Sequence, residues 1–282
     1  KAPILVFDDS LSAVDAETDA KIRHALKAEM EKATVLLISH RINSLKQADL
    51  ILVMDKGKIC ELGTHEELIS QEGIYKDIYE IQLKALLRAS AFGKIKIMVP
   101  LVTGVDELRQ VKAMIKDIMA ELDKEGVVYN KNIEVGVMME TPAACMMADA
   151  LAKEAAFFSI GTNDLTGYTM AVDRGNAKVA YLYETYQPAV LRMIRDVCKA
   201  AGKADIPVGM CGEAAADPAL TPCLIAFGLD EFSVSPEKVL ATRKNLSLWS
   251  SEDAIAVADK VMSLGTAEEV KQYLDSMKKE AE

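Results

Sequence analysis

The sequence predicts an α/β protein built mainly on a parallel sheet, and two observations lead to this prediction. From about residue 95 onward, strand-length apolar runs alternate with amphipathic helical segments, giving five consecutive strand–helix units. Alternation of this kind produces a parallel sheet. The N-terminal part of the chain has a different predicted pattern of secondary structure, with buried-type strands and a hairpin. The residues alone leave two architectures open for the larger part, a doubly wound sheet and part of a (βα)8 barrel.

The N-terminal elements are predicted from apolar runs and turn residues. A helix is expected at about 16–32 and another from Gly73 to about Ala91, because apolar residues recur there at helical spacing. Asp55 to Lys58 has the composition of a hairpin turn. Thr64 and Glu67 have the spacing of a capping box that opens a short helix. Strands rich in branched residues are predicted at Pro3–Phe7, Thr34–Ser39 and Leu50–Met54.

The later elements follow a regular order. Pro142 lies in a first helical turn behind the capping residue Thr141, where its missing N–H costs nothing. Two more helices are predicted at about 252–264 and 266–280. Because the carboxyl ends of parallel strands meet at one edge, polar residues there are candidates for a common site. The five strands are predicted to end near Pro100, Glu140, Gly161, Cys211 and Ser235.

Composition and charge disfavour several partners. The net charge is −10, so we expect no binding to nucleic acid. The apolar runs are shorter than the roughly 20 residues that a membrane helix needs, so no membrane span is expected. Five widely spaced cysteines without a C-x-x-C pair indicate reduced thiols and a cytoplasmic protein. The chain enters an apolar strand directly after Lys1, and we expect this start to be a cut without an export signal.

Side chains at the strand ends predict a metal-dependent site for an anion. Glu140 and Asp164 can share one Mg²⁺ while leaving positions for substrate oxygens. Asn163 and Arg174 can hydrogen-bond an anionic substrate. Cys211 lies in a glycine-rich turn that leaves its thiol accessible. The alternative is an empty pair of strand-end acids on a damaged barrel, an arginine in a surface salt bridge and an ordinary loop thiol.

Residues 83–282 resemble the C-terminal barrel of the phosphoenolpyruvate-protein phosphotransferases, enzyme I of the bacterial phosphotransferase system. The resemblance implies a partial (βα)8 barrel, phosphoenolpyruvate (PEP) as substrate and the histidine phosphocarrier protein as partner. It also implies Mg²⁺ on Glu140 and Asp164, PEP contacts from Asn163 and Arg174, and proton delivery by Cys211. The segments that carry it are Leu83–Gly93 (LKALLRASAFG), Gly136–Ala144 (GVMMETPAA), Phe157–Leu165 (FFSIGTNDL), Ala171–Asn176 (AVDRGN) and Gly209–Glu213 (GMCGE).

The same resemblance implies that the chain is incomplete. The family barrel opens with three further strands that supply two substrate-binding arginines, and its phosphorylated histidine lies on another domain. Gly167 also replaces a usual glutamine. We therefore expect an open five-stranded sheet, self-association through its edges and no phosphoryl transfer by this chain.

Residues 1–82 resemble the later part of an ABC transporter ATPase. The segments Ile4–Asp15 and Leu37–Arg41 are similar to its Walker B strand with D-loop and to its switch-histidine strand. The resemblance implies that Asp8 binds Mg²⁺, that Asp9 stands in place of the catalytic glutamate and that His40 senses the γ-phosphate. No G-x-x-x-x-G-K-[ST] loop occurs, so no ATP hydrolysis is expected. Two alternatives stay open: a fragment of an ABC exporter ATP-binding subunit, and a chimeric fusion without a selected function.

Overall fold

The computed structural model describes residues 4–8, 34–38, 48–71, 73–172 and 178–278. These residues divide into two compact units. The first comprises the described parts of residues 1–93 together with 114–131, and the second comprises 94–113, 132–172 and 178–278.

The first unit contains two pairs of strands. Strands β1 (Ile4–Asp8) and β2 (Thr34–Ile38) are parallel neighbours, and β3 (Ile51–Asp55) pairs antiparallel with β4 (Lys58–Gly63). The β3–β4 turn has positive φ at both of its central residues, 48° at Lys56 and 78° at Gly57. Two such residues form the type I′ turn that matches strand twist, which confirms the predicted hairpin.

Two helices pack behind this hairpin. Helix α1 (His65–Ile69) opens with the predicted capping box of Thr64 and Glu67, and helix α2 (Ile74–Ala89) follows. The Glu61 carboxylate accepts hydrogen bonds from the first backbone N–H groups of α2, on Ile74 and Tyr75. An anionic acceptor suits the N-terminus of a helix, which otherwise leaves these donors unpaired. The small core of the unit is formed by Ile51, Val53, Leu68 and Tyr75.

The second unit is built on the predicted parallel sheet. Its five strands lie in sequence order, each parallel to the next, which confirms the five strand–helix units. The last strand is only two residues long and ends at Phe232, before the predicted end near Ser235. The strands are β5 (Lys96–Val99), β6 (Glu134–Met139), β7 (Phe158–Gly161), β8 (Val208–Cys211) and β9 (Glu231–Phe232).

Helices connect these strands and follow the last one. The predicted cap Thr141, directly before Pro142, is confirmed, because its hydroxyl accepts the Ala144 N–H at 3.0 Å. The helices are α3 (Val105–Glu125), which extends into the first unit, α4 (Pro142–Met146), α5 (Ala148–Leu151), α6 (Thr162–Met170), α7 (Pro188–Ala204), α8 (Thr221–Phe227), α9 (Val239–Ser247), α10 (Ser251–Met262) and α11 (Ala267–Ser276). Within the described part of the chain, none of the helices combines the length and apolar character that crossing a membrane requires.

The two faces of the sheet differ in composition. Side chains alternate along a strand, so every second residue belongs to the same face. One face is apolar and buried, and it holds Ile97, Val99, Val135, Val137, Met139, Phe158, Ile160, Val208 and Met210. The other is more open and holds Lys96, Met98, Glu134, Gly136, Met138, Ser159, Gly161, Gly209 and Cys211.

Large side chains from adjacent strand segments cover the glycines of the open face. A Cβ on Gly136 would lie 2.5 Å from the ring of Phe157, and a Cβ on Gly209 would lie 3.3 Å from Glu231. Lys96 adds a 2.5 Å ion pair with Glu134 on the same face. Because these glycines have no side chain, they leave space on this face of the sheet that neighbouring side chains fill.

Candidate functional site

The carboxyl ends of β6, β7 and β8 bring four predicted site residues to one edge. Glu140 follows β6 directly, Asn163 and Asp164 lie in the first turn of α6 after β7, and Cys211 ends β8. Gly161 pairs with Cys211 across β7 and β8, so the two chain segments turn away from the sheet side by side. The parallel topology is what makes these distant residues neighbours.

Glu140 is a buried acid whose side chain is held by the backbone. It is 3% exposed, and its Oε1 accepts the Leu101 N–H at 2.7 Å. Leu101 has φ +55°, a left-handed conformation uncommon for a residue with a Cβ, and this turn follows β5. On the other side, a Cβ at Gly161 would lie 2.9 Å from Glu140 Oε2. The glycine of the G-T-N-D-L segment therefore leaves the room that the Glu140 carboxylate occupies.

The segments G-T-N-D-L and C-G-E interlock through Thr162. The Thr162 side chain is fully buried, and its hydroxyl donates to the Cys211 carbonyl at 3.1 Å. Gly212 has φ 96° and ψ −178°, a backbone region that is essentially restricted to glycine. A Cβ there would lie 2.5 Å from Thr162 Oγ1. Thus both the backbone and the packing require glycine after Cys211.

The Cys211 thiol is half-buried and surrounded by polar groups. Burial raises its pKa, a hydrogen bond from the Ser159 hydroxyl opposes that rise, and the carboxylates of Glu140 and Asp164 add to it. Gly161 and Gly209 lie beside them on this face without side chains. The net upward shift in pKa keeps the thiol protonated at neutral pH, so that it can serve as a proton donor.

Asn163 and Asp164 differ in their surroundings. Asp164 is exposed, while Asn163 is half-buried, with its Oδ1 3.3 Å from the position of a Cβ on Gly212. The Asn163 backbone carbonyl accepts the Tyr183 hydroxyl at 2.8 Å. The exposed carboxylate and the packed amide therefore project from one helical turn beside the Cys211 segment.

The remaining predicted site residues belong to other parts of the chain. Asp8 is the last residue of β1 in the first unit. Arg174, Asp9 and His40 lie outside the described residues. Throughout the described ranges, no group of three or more His, Cys, Asp or Glu side chains is arranged to hold a metal. Glu140 and Asp164 are thus two carboxylates without a third such ligand among those residues.

Several residues that shape this edge were not predicted from the sequence. Thr162 and Ser159 lie inside a segment that was quoted, and the two-residue period of a strand identifies Ser159 as facing the same way as Gly161. Leu101 and Tyr183 gave no signal, because their contacts reach across 39 and 20 residues of sequence.

The parallel sheet and the polar residues at its carboxyl edge define an α/β protein with a polar site at the ends of its strands. A model of the PEP-utilising enzyme PEP-binding domain matches residues 68–250. The chain therefore belongs to the family of PEP-utilising enzymes, and it carries their PEP-binding domain.

Two relatives are phosphoenolpyruvate-protein phosphotransferases. That of Geobacillus stearothermophilus is 51% identical over 199 residues, covering 71% of this chain and 34% of the relative. That of Bacillus subtilis is 46% identical over 199 residues, covering 71% and 35%. The chain is thus homologous to the PEP-binding part of these proteins and spans about a third of their length.

One solved structure gives a further, weaker match to part of the chain. A solved structure of a bacterial Atm1-family ABC exporter with ATP bound is 34% identical and covers 28% of this chain and 14% of its own, with a TM-score of 0.27. A likeness of that size supports no conclusion, and the ATPase resemblance of residues 1–82 stays a prediction.

Proposed function

We propose that residues 83–282 form part of the (βα)8 barrel of a cytoplasmic phosphoenolpyruvate-protein phosphotransferase and retain part of its PEP site. The observation that carries the proposal is the convergence of Glu140, Asp164 and Cys211 at the ends of three adjacent strands. The two acids can hold a metal ion, and the protonated thiol can supply the proton that turns the enolate of PEP into pyruvate. The partner in the complete protein would be the histidine phosphocarrier protein.

The donor set fits Mg²⁺. Glu140 and Asp164 offer carboxylate oxygens, the hard ligands that Mg²⁺ prefers, and Mg²⁺ commonly binds with one or two carboxylates plus waters and substrate phosphate. When bound, the metal would neutralise charge on the PEP phosphate. The two acids suffice for such a site without a third protein ligand.

The other side chains of the site serve either to bind the substrate or to transfer a proton. The Asn163 amide can donate to the phosphate, and by family resemblance Arg174 pairs with the anion. As the phosphoryl group leaves for an acceptor histidine, the enolate left behind takes the Cys211 proton at its methylene carbon and becomes pyruvate. The raised pKa of Cys211 favours this role, because the thiol holds a proton until the enolate forms.

We infer that this chain binds PEP without completing the transfer. The family's acceptor histidine and two arginines have no counterpart in its sequence. Each missing charge-assisted contact weakens binding by roughly 1.5–3 kcal/mol, so the loss of two lowers affinity by about two to four orders of magnitude. Residues 1–82, with Asp8, Asp9 and His40, contribute nothing to this site in our proposal.

Calorimetric titration of PEP with and without Mg²⁺ tests the proposal. We expect weak binding that depends on Mg²⁺ and that falls at least about tenfold in Asp164→Ala, since one charged ligand is lost. Asp259→Ala is the matched control, because Asp259 is an exposed acid on α10. Equal affinity in Asp164→Ala and the parent chain would refute the assignment of the metal site. Micromolar affinity would refute the inferred loss of binding groups.

A further inference from the structure

A short segment connects the loops that carry the candidate site, and two of its three tyrosines make these connections. Residues 180–187 precede α7, and we call them the tyrosine tie. The Tyr183 hydroxyl donates to the Asn163 carbonyl at 2.8 Å, and the Tyr186 hydroxyl donates to Asp217 Oδ2 at 2.5 Å. The first contact lies in the turn after β7, and the second lies in the loop after β8. One segment therefore holds both loops.

The Tyr183 end is fitted to α6. Its phenol bonds the backbone of the turn that presents the Asn163 and Asp164 side chains. Its ring lies beside Gly167, where an added Cβ would be 3.7 Å from Tyr183 Cε2. Tyr183 therefore bonds the first turn of α6 through its hydroxyl, while its ring lies beside the next turn.

The Tyr186 end is fixed through Asp217. Besides the phenol, the Asp217 carboxylate accepts the Ala219 N–H at 2.9 Å, and its backbone carbonyl accepts the Thr221 hydroxyl at 3.2 Å. Burial, followed by the Asp217 carboxylate, raises the pKa of Tyr186, so the phenol stays a donor at neutral pH. Lys271 of α11 lies 6.0 Å from the centre of the Tyr186 ring. This end of the tie is anchored on several sides.

We propose that Tyr183 and Tyr186 are positioning residues, which hold the turn bearing Asn163 and Asp164 in register with the loop bearing Cys211. The buried Thr162 hydroxyl links the same two segments directly, and the tyrosine tie adds a second link between them. The proposal rests on the proposed function for the identity of the ligand. The proposed effect of the two tyrosines on the position of Cys211 holds whether or not PEP is the ligand.

The test compares Tyr183→Phe and Tyr186→Phe with Tyr181→Phe. Each variant removes one hydroxyl and keeps the ring, and Tyr181 is a matched control because it is 72% exposed in the same segment. Three quantities are measured: PEP affinity with Mg²⁺, the alkylation rate of Cys211 by iodoacetamide, and the melting temperature. The background carries Cys60→Ser, since Cys60 is an exposed thiol.

We expect the two tie variants to change both PEP affinity and the Cys211 alkylation rate by about three- to tenfold, the effect of one lost hydrogen bond. Tyr181→Phe should leave both unchanged. All rates are taken well below the melting temperature, so that global unfolding does not contribute. A loss of melting temperature with unchanged affinity and alkylation rate would overturn the proposal and leave only a structural role.

The outcomes also separate this proposal from the proposed function. If the parent chain binds no PEP, the proposed function fails, and the alkylation rates alone decide whether the tie positions Cys211. If PEP binds but neither tie variant changes its affinity or the alkylation rate, the proposed function stands and the tie does not position the site.

Discussion

Gly212→Ala is the perturbation that tests the interlocked site most directly. Its φ of 96° and ψ of −178° belong to a region that costs a residue with a Cβ about 1–3 kcal/mol. The new methyl carbon would also start 2.5 Å from Thr162 Oγ1, which must move. Displacing that buried hydroxyl from the Cys211 carbonyl adds about 1–3 kcal/mol. We expect a total destabilisation of about 2–6 kcal/mol.

Urea-induced unfolding, followed by Trp249 fluorescence, measures this cost, because Trp249 is the single tryptophan and lies in the second unit. Gly228→Ala provides the control. Gly228 also has positive φ, 87°, but nothing lies within 4 Å of an added Cβ. The free energy of unfolding of Gly228→Ala should therefore fall only by the cost of the left-handed backbone conformation, about 1–2 kcal/mol.

A double-mutant cycle isolates the contact. In Thr162→Ala with Gly212→Ala the hydroxyl that collides is gone, so the combined loss should be smaller than the sum of the single losses by about 1–2 kcal/mol. Additive losses, or a Gly212→Ala variant no less stable than Gly228→Ala, would refute the interlock.

Two further predictions concern buried side chains. The Thr166 hydroxyl is buried without a hydrogen-bond partner in the part of the chain that the structure describes, so Thr166→Val should leave stability unchanged or raise it by up to about 1 kcal/mol; a clear loss in urea unfolding would contradict this. Burial raises the pKa of Cys145, Cys198 and Cys223 to about 12 each, so folding keeps them protonated and their contribution is complete below about pH 8.5. As pH rises toward 12, stability should fall by about 1.4 kcal/mol per thiol per pH unit; unfolding under reducing conditions measures this, and replacing all three by alanine should flatten the slope.

The sequence was most informative where local chemistry decides the structure. The five parallel strands, the Lys56–Gly57 turn and the Thr64 capping box all depend on residues within a few positions of one another. The short sequence motifs also placed Glu140, Asp164 and Cys211 at the ends of predicted strands. The parallel topology of the sheet then makes these residues neighbours.

The contacts that complete the edge could not be predicted in this way. The Thr162 hydroxyl reaches a carbonyl 49 residues away, and the Leu101 amide reaches Glu140 across 39. Such hydrogen bonds produce no repeating pattern in the sequence, because only the folded sheet brings their partners together. The end of β9 was also placed too late, since the strand ends at Phe232 and not near Ser235.

The covered glycines of the open face have a consequence for how this sequence can change. Gly136 lies under Phe157, Gly161 under Glu140, and Gly209 beside Glu231. In each case one residue supplies the volume that the other fills. A larger residue at the glycine is therefore tolerated only with a smaller partner. Among homologous sequences, positions 136 and 157 should covary, position 161 should stay glycine wherever Glu140 is kept, and a library that randomises position 136 or 161 alone should return almost only glycine.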